Sequence, residues 1–112
     1  MPHWGRKMKF INLTPHAIRL NDGSSFEPSG VVARVSADLQ AVETVGGVQL
    51  FRQKFGEVEG LPAEVPGTMY IVSGMVLAAV DRSDCVAPAT GSRETVRDEA
   101  GHIVSVPGFV TK

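Results

Sequence analysis

The sequence has little cysteine, no long apolar run and almost no net charge, and each shortage excludes a class of protein. Its one cysteine, Cys85, cannot form an intramolecular disulfide or build a cysteine-rich zinc site. No stretch approaches the roughly 18 consecutive apolar residues of a membrane-spanning helix. The 11 Lys and Arg against 12 Asp and Glu exclude a broadly basic surface for long nucleic acids or anionic membranes. We therefore expect a cytoplasmic protein without a membrane or long nucleic acid as partner.

Glycine and proline, by contrast, are abundant. The 12 Gly and 7 Pro divide the 112 residues into short segments, so long helices are not expected. A content of 43% hydrophobic and 21% charged residues is typical of a folded domain, not of a disordered chain. The length fits one domain. We interpret residues 1–7 as an N-terminal extension and residues 8–112 as a single globular, β-rich domain.

Short β-branched segments between turn signals predict a mainly β fold. A Gly-Gly pair separates residues 40–45 from 48–54, the spacing of a hairpin with a primed turn. Residues 69–72 are continuously apolar and predict a buried strand, and Ser73 is a natural N-cap for a helix after it. We expect a small antiparallel barrel or sandwich of about seven short strands, with one short helix near residues 74–80. Residues 56–66, rich in Gly and Pro, predict a connector.

The segment around Pro15 carries the strongest local signal for binding. In a strand, Asn12, Thr14 and His16 lie on one face, and Pro15 interrupts the ladder there. An amide, a hydroxyl and an imidazole could hydrogen-bond a sugar or a base edge, and a protonated His16 could contact phosphate. The alternative is a β-corner in which Asn12 and Thr14 satisfy backbone groups of the turn.

A second candidate is the start of the predicted helix. Free backbone N–H groups there favour an anion, and Ser73 and Gly74 would let a phosphate approach closely. The glycine spacing and lysine of a P-loop are absent. The alternative is that Ser73 is a plain N-cap.

Three arginines are candidates for phosphate binding: Arg34, Arg82 and Arg97. The planar guanidinium suits phosphate because it donates two parallel hydrogen bonds. Arg82, however, stands between Asp81 and Asp84, and surface pairs of that kind are common. An entirely structural role for Arg82 is therefore an equal alternative.

Signals for catalysis are weaker. The three histidines, His3, His16 and His102, are too scattered to predict a metal site. Nothing in the sequence places Cys85 beside a base, and its apolar neighbours indicate a core residue. We therefore expect no catalytic residue, no metal and no cofactor.

Five segments, taken in order, resemble a known family. They are Ile11–His16, Glu27–Gly30 with Ala33-Arg34, Gly56–Pro62, Tyr70–Ser73 and Arg97–Gly101. That series is similar to a family of small proteins encoded widely in tailed phages and prophages, and the resemblance extends from about Lys9 to Phe109. Small phage proteins of this type often blunt host immunity. One class, the sponges, sequesters the nucleotide signals of defence systems such as Thoeris and CBASS.

The resemblance implies an anti-defence protein of the host-cell cytoplasm that binds a small phosphorylated nucleotide without cleaving it. Sponges are typically homo-oligomers with polar, arginine-lined pockets between subunits, so we expect the same here. Such a site would use arginines for phosphate, polar side chains for ribose or base, and an aromatic ring for stacking. The candidates are Arg34, Arg82 and Arg97 with Ser73 and Gly74, then Asn12, Thr14 and His16, then Tyr70 or Phe51.

Two alternatives of other classes remain open. The first is a phosphoesterase-like enzyme that degrades such a signal, with His16 and either Asp84 or Asp98 as acid and base. The second is a structural or host-protein interaction module that binds its partner through a sheet edge.

Overall fold

The computed structural model describes residues 8–112, and the predicted extension, residues 1–7, lies outside them. The described chain forms a single short helix and ten strands. In chain order they are β1 (Lys9–Asn12), β2 (Ile18–Arg19), β3 (Ser25–Phe26), β4 (Arg34–Val45), β5 (Val48–Glu59), β6 (Thr68–Ile71), α1 (Gly74–Ala79), β7 (Cys85–Pro88), β8 (Val96–Arg97), β9 (Ile103–Ser105) and β10 (Phe109–Val110).

The predicted mainly β character with one short helix is confirmed. The strands form a four-stranded sheet of order β1-β6-β7-β10 and three two-stranded sheets, β2-β3, β4-β5 and β8-β9. The barrel or sandwich is not confirmed, because residues 8–112 form no closed barrel. The central sheet is also mixed: β1, β6 and β7 are parallel, and β10 is antiparallel to β7.

Helix α1 connects the parallel strands β6 and β7, which a tight hairpin turn could not join. Ser73 is its N-cap, since the Val76 N–H donates to Ser73 Oγ at 3.2 Å. Val76 and Leu77 are buried on the helix face that meets the core. Among the described residues, no helix has the length and apolar character needed to cross a membrane.

The core lies where this β–α–β unit meets the segments that follow β1 and precede β4. Its buried side chains include Leu13, Tyr70, Val72, Val76 and Cys85. Cys85 is thus a core residue, as its apolar neighbours indicated. Burying such aliphatic and aromatic side chains stabilises the fold by roughly 1.5–3 kcal/mol each.

Strands β4 and β5 form a long hairpin, which we call the arm (residues 34–59). The predicted hairpin is confirmed. Its strands, residues 34–45 and 48–59, extend further toward the body of the protein than the expected 40–45 and 48–54. Gly46 and Gly47 have φ of 57° and 81°, the left-handed conformation that a primed turn requires. The predicted connector begins too early, since residues 56–59 belong to β5. Val35 and Val58 pack against the core at the base of the arm.

Candidate ligand-binding site

The carboxyl ends of the three parallel strands meet at one edge of the central sheet. The chain turns there after β1, β6 and β7, so the residues that follow each strand come together. These include Thr14, Ser73 and Thr90, each of which carries a hydroxyl group. In open sheets with parallel strands, ligands commonly bind at this edge because the loops diverge and leave a crevice.

Two clefts of about 450 Å³ each lie at this edge. The Arg34 cleft is lined by residues that include Leu13, Thr14, Pro15, Arg34, Ser73 and Met75. The His16 cleft is lined by residues that include Thr14, His16, Arg19, Ser73, Gly74 and Thr90. Thr14 and Ser73 border both clefts, so their side chains stand where the two spaces adjoin.

Asn12 fixes the loop that carries Thr14 and His16. Its side chain is 2% exposed, and its amide N–H groups donate to the carbonyl oxygens of His16 at 2.8 Å and Phe26 at 3.0 Å. Its Oδ1 accepts from the Thr14 N–H at 2.9 Å and the Thr14 hydroxyl at 2.6 Å. Both amide donors are used, so this geometry corresponds to the β-corner interpretation. Asn12 is therefore a buried residue that holds the loop of Thr14 and His16 in place through hydrogen bonds.

The two hydroxyls between the clefts retain capacity for a ligand. Ser73 Oγ accepts the Val76 N–H, and the Ser73 O–H has no acceptor within the described part of the chain, so it can donate to a ligand. The Thr14 hydroxyl has one hydrogen, shared between Asn12 Oδ1 and the His16 carbonyl oxygen 3.0 Å away. The Thr14 oxygen can therefore accept a hydrogen bond from a ligand.

Each cleft has one exposed arginine. Within residues 8–112, no carboxylate lies within 4 Å of the guanidinium of Arg34 or Arg19. Glu59 is the cross-strand neighbour of Arg34, without an ion pair between them. Arg19 was not among the predicted residues. The only sequence signal for it was its place on the extended segment directly after His16.

Arg82 and Tyr70 lie away from both clefts, close to the amino-terminal end of β7. Arg82 binds Asp84 through two hydrogen bonds, and its Nη1 donates to the Pro62 carbonyl oxygen at 2.8 Å. The buried Tyr70 donates its hydroxyl to the Ala63 carbonyl oxygen at 3.2 Å, and its ring centroid lies 5.9 Å from the Arg82 guanidinium carbon. Both polar groups thus join the loop before β6 to the sheet.

Arg97 also lies outside the residues that line the clefts. It is on β8, where its Nη1 donates to the Gly101 carbonyl oxygen at 2.9 Å across the turn between β8 and β9. Of the nine predicted site residues, the structure brings five to the clefts: Thr14, His16, Arg34, Ser73 and Gly74. Phe51, the alternative stacking residue, is exposed on the arm.

The titratable groups define what the site can do chemically. In the described part of the chain, no carboxylate lies within 4 Å of His16. Asp84 is bound by Arg82, which holds the pKa of its carboxyl below the usual range, and Asp98 accepts the N–H groups of Ala100 and His102. Burial raises the pKa of Cys85 to about 11, so this thiol is protonated at neutral pH.

Comparison of the chain with models of known protein families, with curated proteins and with solved structures finds no match. The chemistry of the two clefts is therefore the basis for inferring what the protein binds. Arginine guanidiniums with adjacent hydroxyl groups recognise phosphate and ribose, the two polar components of a nucleotide.

Proposed function

We propose that the protein binds a small phosphorylated nucleotide at the Arg34 and His16 clefts and sequesters it without cleaving it. The observation that carries this proposal is the position of Thr14 and Ser73 between two clefts, each with an arginine that has no carboxylate of residues 8–112 within 4 Å. Arg34 and Arg19 offer forked donors to phosphate, while the two hydroxyls serve ribose or phosphate oxygens.

Arg34 lines one cleft and Arg19 lines the other, and the hydroxyls of Thr14 and Ser73 lie between the two clefts. This arrangement supports a ligand with two phosphate groups. A cyclic dinucleotide has two phosphates separated by its nucleosides, and a cyclic ADP-ribose derivative has a pyrophosphate. Each cleft, at about 450 Å³, is within the range of roughly 300–1,000 Å³ for small-molecule sites. Met75, which is exposed, gives the Arg34 cleft apolar surface for a base.

Anti-defence activity follows as part of the same proposal from the resemblance to phage-encoded proteins. The protein would act in the cytoplasm of an infected host cell and lower the free concentration of a Thoeris or CBASS signal. Sequestration requires an enclosed ligand, and clefts on the surface of a 112-residue chain become enclosed most readily at the interface of a homo-oligomer.

Isothermal titration calorimetry against cyclic ADP-ribose derivatives and a panel of cyclic dinucleotides tests the proposal. We expect one class to bind, and Arg34→Ala and Arg19→Ala each to weaken that binding by about 10-fold or more, since a hydrogen bond to a charged group contributes about 1.5–3 kcal/mol. Arg52→Ala is the matched control, because Arg52 is exposed on the arm and lines neither cleft.

Heat denaturation followed by mass spectrometry distinguishes sequestration from catalysis. Release of the intact ligand supports a sponge, whereas release of a cleaved ligand supports the phosphoesterase alternative. Absence of binding to every nucleotide tested, or equal binding by the Arg34→Ala variant and the wild type, would overturn the proposed site.

A further inference from the structure

The buried Asn12 side chain determines which way the Thr14 hydroxyl can form hydrogen bonds. The Asn12 amide nitrogen donates to the carbonyl oxygens of His16 at 2.8 Å and Phe26 at 3.0 Å. This fixes the orientation of the amide, so its Oδ1 faces Thr14 and acts only as an acceptor. The single hydroxyl hydrogen of Thr14 must therefore point toward Asn12 Oδ1 or the His16 carbonyl oxygen. Toward the clefts, the Thr14 hydroxyl offers an acceptor and no donor.

Ser73 lies beside Thr14 and has the opposite polarity. Strands β1 and β6 pair in parallel, and the Leu13 N–H continues this ladder to the Ile71 carbonyl oxygen at 2.8 Å. The same register places Thr14 opposite Ser73, and neighbouring strands lie about 4.8 Å apart. Ser73 Oγ accepts the Val76 N–H, and its own hydrogen has no acceptor in residues 8–112. Ser73 thus offers a donor next to the acceptor of Thr14.

We infer that Thr14 and Ser73 together recognise a free ribose hydroxyl of the ligand, so that the protein selects a ribonucleotide over its deoxy counterpart. A hydroxyl both donates and accepts, and it can therefore pair with both side chains at once. A phosphate diester cannot donate to Thr14, and an exocyclic amine of a base cannot accept from Ser73. The inference rests on the proposed function, because it names the part of the nucleotide that lies between the two clefts.

The position of the two hydroxyls favours ribose over a base. Arg34 lines one cleft and Arg19 the other, so the phosphates that these arginines bind lie on either side of the two hydroxyls. In a 3′,5′-linked cyclic dinucleotide each ribose joins the two phosphates, whereas the bases project away from the ring. The group between two phosphates is thus a ribose, and the linkage leaves its 2′-hydroxyl free to donate and accept.

Isothermal titration calorimetry with matched ligands tests the inference. The probes are cyclic di-AMP, cyclic di-GMP and cyclic ADP-ribose, each beside its 2′-deoxy and 2′-fluoro counterparts. Fluorine is close in size to a hydroxyl group but donates no hydrogen bond. We expect the ribonucleotide that binds to do so at least about tenfold more tightly than either counterpart, because the counterpart leaves the polar groups of the site unpaired.

Variants of Thr14 separate recognition of the hydroxyl from a general loss of affinity. Thr14→Val keeps the shape but removes the acceptor, so it should bind the ribonucleotide about fivefold or more weakly and leave binding of the deoxy counterpart nearly unchanged. Thr14→Ser keeps the hydroxyl and should restore most of the preference. Thr95→Val is the matched control, because the Thr95 hydroxyl also donates to a backbone carbonyl, that of Ala89, but Thr95 lines neither cleft.

The affinity ratio of the wild type needs no variant, so the test stands even if Thr14→Val fails to fold. Equal or tighter binding of either counterpart overturns the inference and leaves the proposed function in place. A folded Thr14→Val variant that keeps the wild-type preference does the same. Absence of binding by every ribonucleotide probe overturns the proposed function, and the inference with it.

Discussion

Arg82 and Asp84 form a two-point ion pair at the start of β7, with Nη2 to Oδ2 at 2.7 Å and Nε to Oδ1 at 3.0 Å. The guanidinium donates a third hydrogen bond to the Pro62 carbonyl oxygen. The Arg82 side chain therefore joins the loop before β6 to the start of β7, the strand that follows α1. The pair is largely shielded, with side-chain exposures of 22% for Arg82 and 13% for Asp84. Its role in the fold is to hold these two segments together.

Replacement of Arg82 by Ala should therefore lower the free energy of unfolding by about 1–3 kcal/mol, because it leaves the Asp84 carboxylate and the Pro62 carbonyl without their donor. Arg82→Lys should recover only part of this, since an ammonium cannot reproduce the planar fork. Urea unfolding at neutral pH measures the change. Arg93→Ala, at an exposed arginine without a hydrogen-bond partner in the described chain, should stay within about 0.5 kcal/mol of the wild type.

The same ion pair predicts how stability depends on pH. Its hydrogen bond lowers the pKa of Asp84 in the folded state below the unfolded value of about 3.9. A group of this kind contributes its full stabilisation above the unfolded pKa and loses it as the pH falls through the folded pKa. Stability should therefore decline below about pH 5 as Asp84 becomes protonated.

Asp84→Asn isolates that contribution. The variant should be less stable than the wild type at pH 7, and the difference should shrink as the pH is lowered toward 3. The comparison is necessary because Asp22 also has a lowered pKa, from the hydrogen bond that the Ser24 N–H donates to it, and it contributes its own pH dependence. A difference between the variant and the wild type that stays constant from pH 7 to 3 contradicts the prediction.

Local signals predicted the local elements of the fold. Ser73 before an apolar segment marks the helix start, and Gly46-Gly47 marks the arm's turn, because capping and left-handed backbone depend on residues adjacent in sequence. The parallel pairing of β1 with β6 was not predicted. It joins segments more than 50 residues apart, and short strands carry no sequence pattern that specifies a partner.

The candidate site could likewise be predicted only in part, because local signals are readable from the sequence and long-range contacts are not. Thr14 was recognised as a polar residue where Pro15 interrupts an extended segment, and Ser73 as the residue between a buried strand and a helix. The parallel order of β1 and β6 then brings both to one edge. The arginines could not be sorted in this way. The flanking Asp81 and Asp84 left a structural role for Arg82 open, but only the fold shows that Arg82 meets Asp84 while Arg34 has no carboxylate within 4 Å in residues 8–112.

Asn12 should be among the most sensitive positions of the chain. Asn12→Ala removes four hydrogen bonds and leaves the carbonyl oxygens of His16 and Phe26 without a donor, at a cost of about 2–4 kcal/mol. Asn12→Asp keeps the acceptor for Thr14 but places a buried carboxylate oxygen against the His16 and Phe26 carbonyl oxygens, so it should cost at least as much as Asn12→Ala at neutral pH. Thermal denaturation measures both. Asn21→Ala, at an exposed amide that donates to the Glu94 carbonyl oxygen and accepts from the Ser105 hydroxyl, should cost about 1 kcal/mol or less because water replaces both partners.

An Asn12→Ala variant as stable as Asn21→Ala would contradict the structural role of Asn12. If Asn12→Ala does not fold while Asn21→Ala folds normally, that difference itself supports the structural role of Asn12.

Gly60 ends the arm where the chain passes closest to the segment before Arg34. Its φ of +79° favours glycine, and a Cβ at this position would contact the Val32 carbonyl oxygen. Gly23 has a similar φ of +95°, but a Cβ there would meet nothing within 4 Å. The two positions therefore separate the conformational cost of an added Cβ from the steric cost.

Gly23→Ala should lower the free energy of unfolding by about 1 kcal/mol, the cost of the left-handed conformation alone. Gly60→Ala should cost at least about 2 kcal/mol, because the Val32 carbonyl must also move. That displacement propagates to Arg34, two residues further along, so Gly60→Ala should weaken nucleotide binding while Gly23→Ala leaves it unchanged. Urea unfolding and calorimetry measure the two effects. Equal unfolding costs for the two variants would show that the Val32 carbonyl moves aside at no energetic cost. The shape of the Arg34 cleft would then not depend on the contact between Gly60 and Val32.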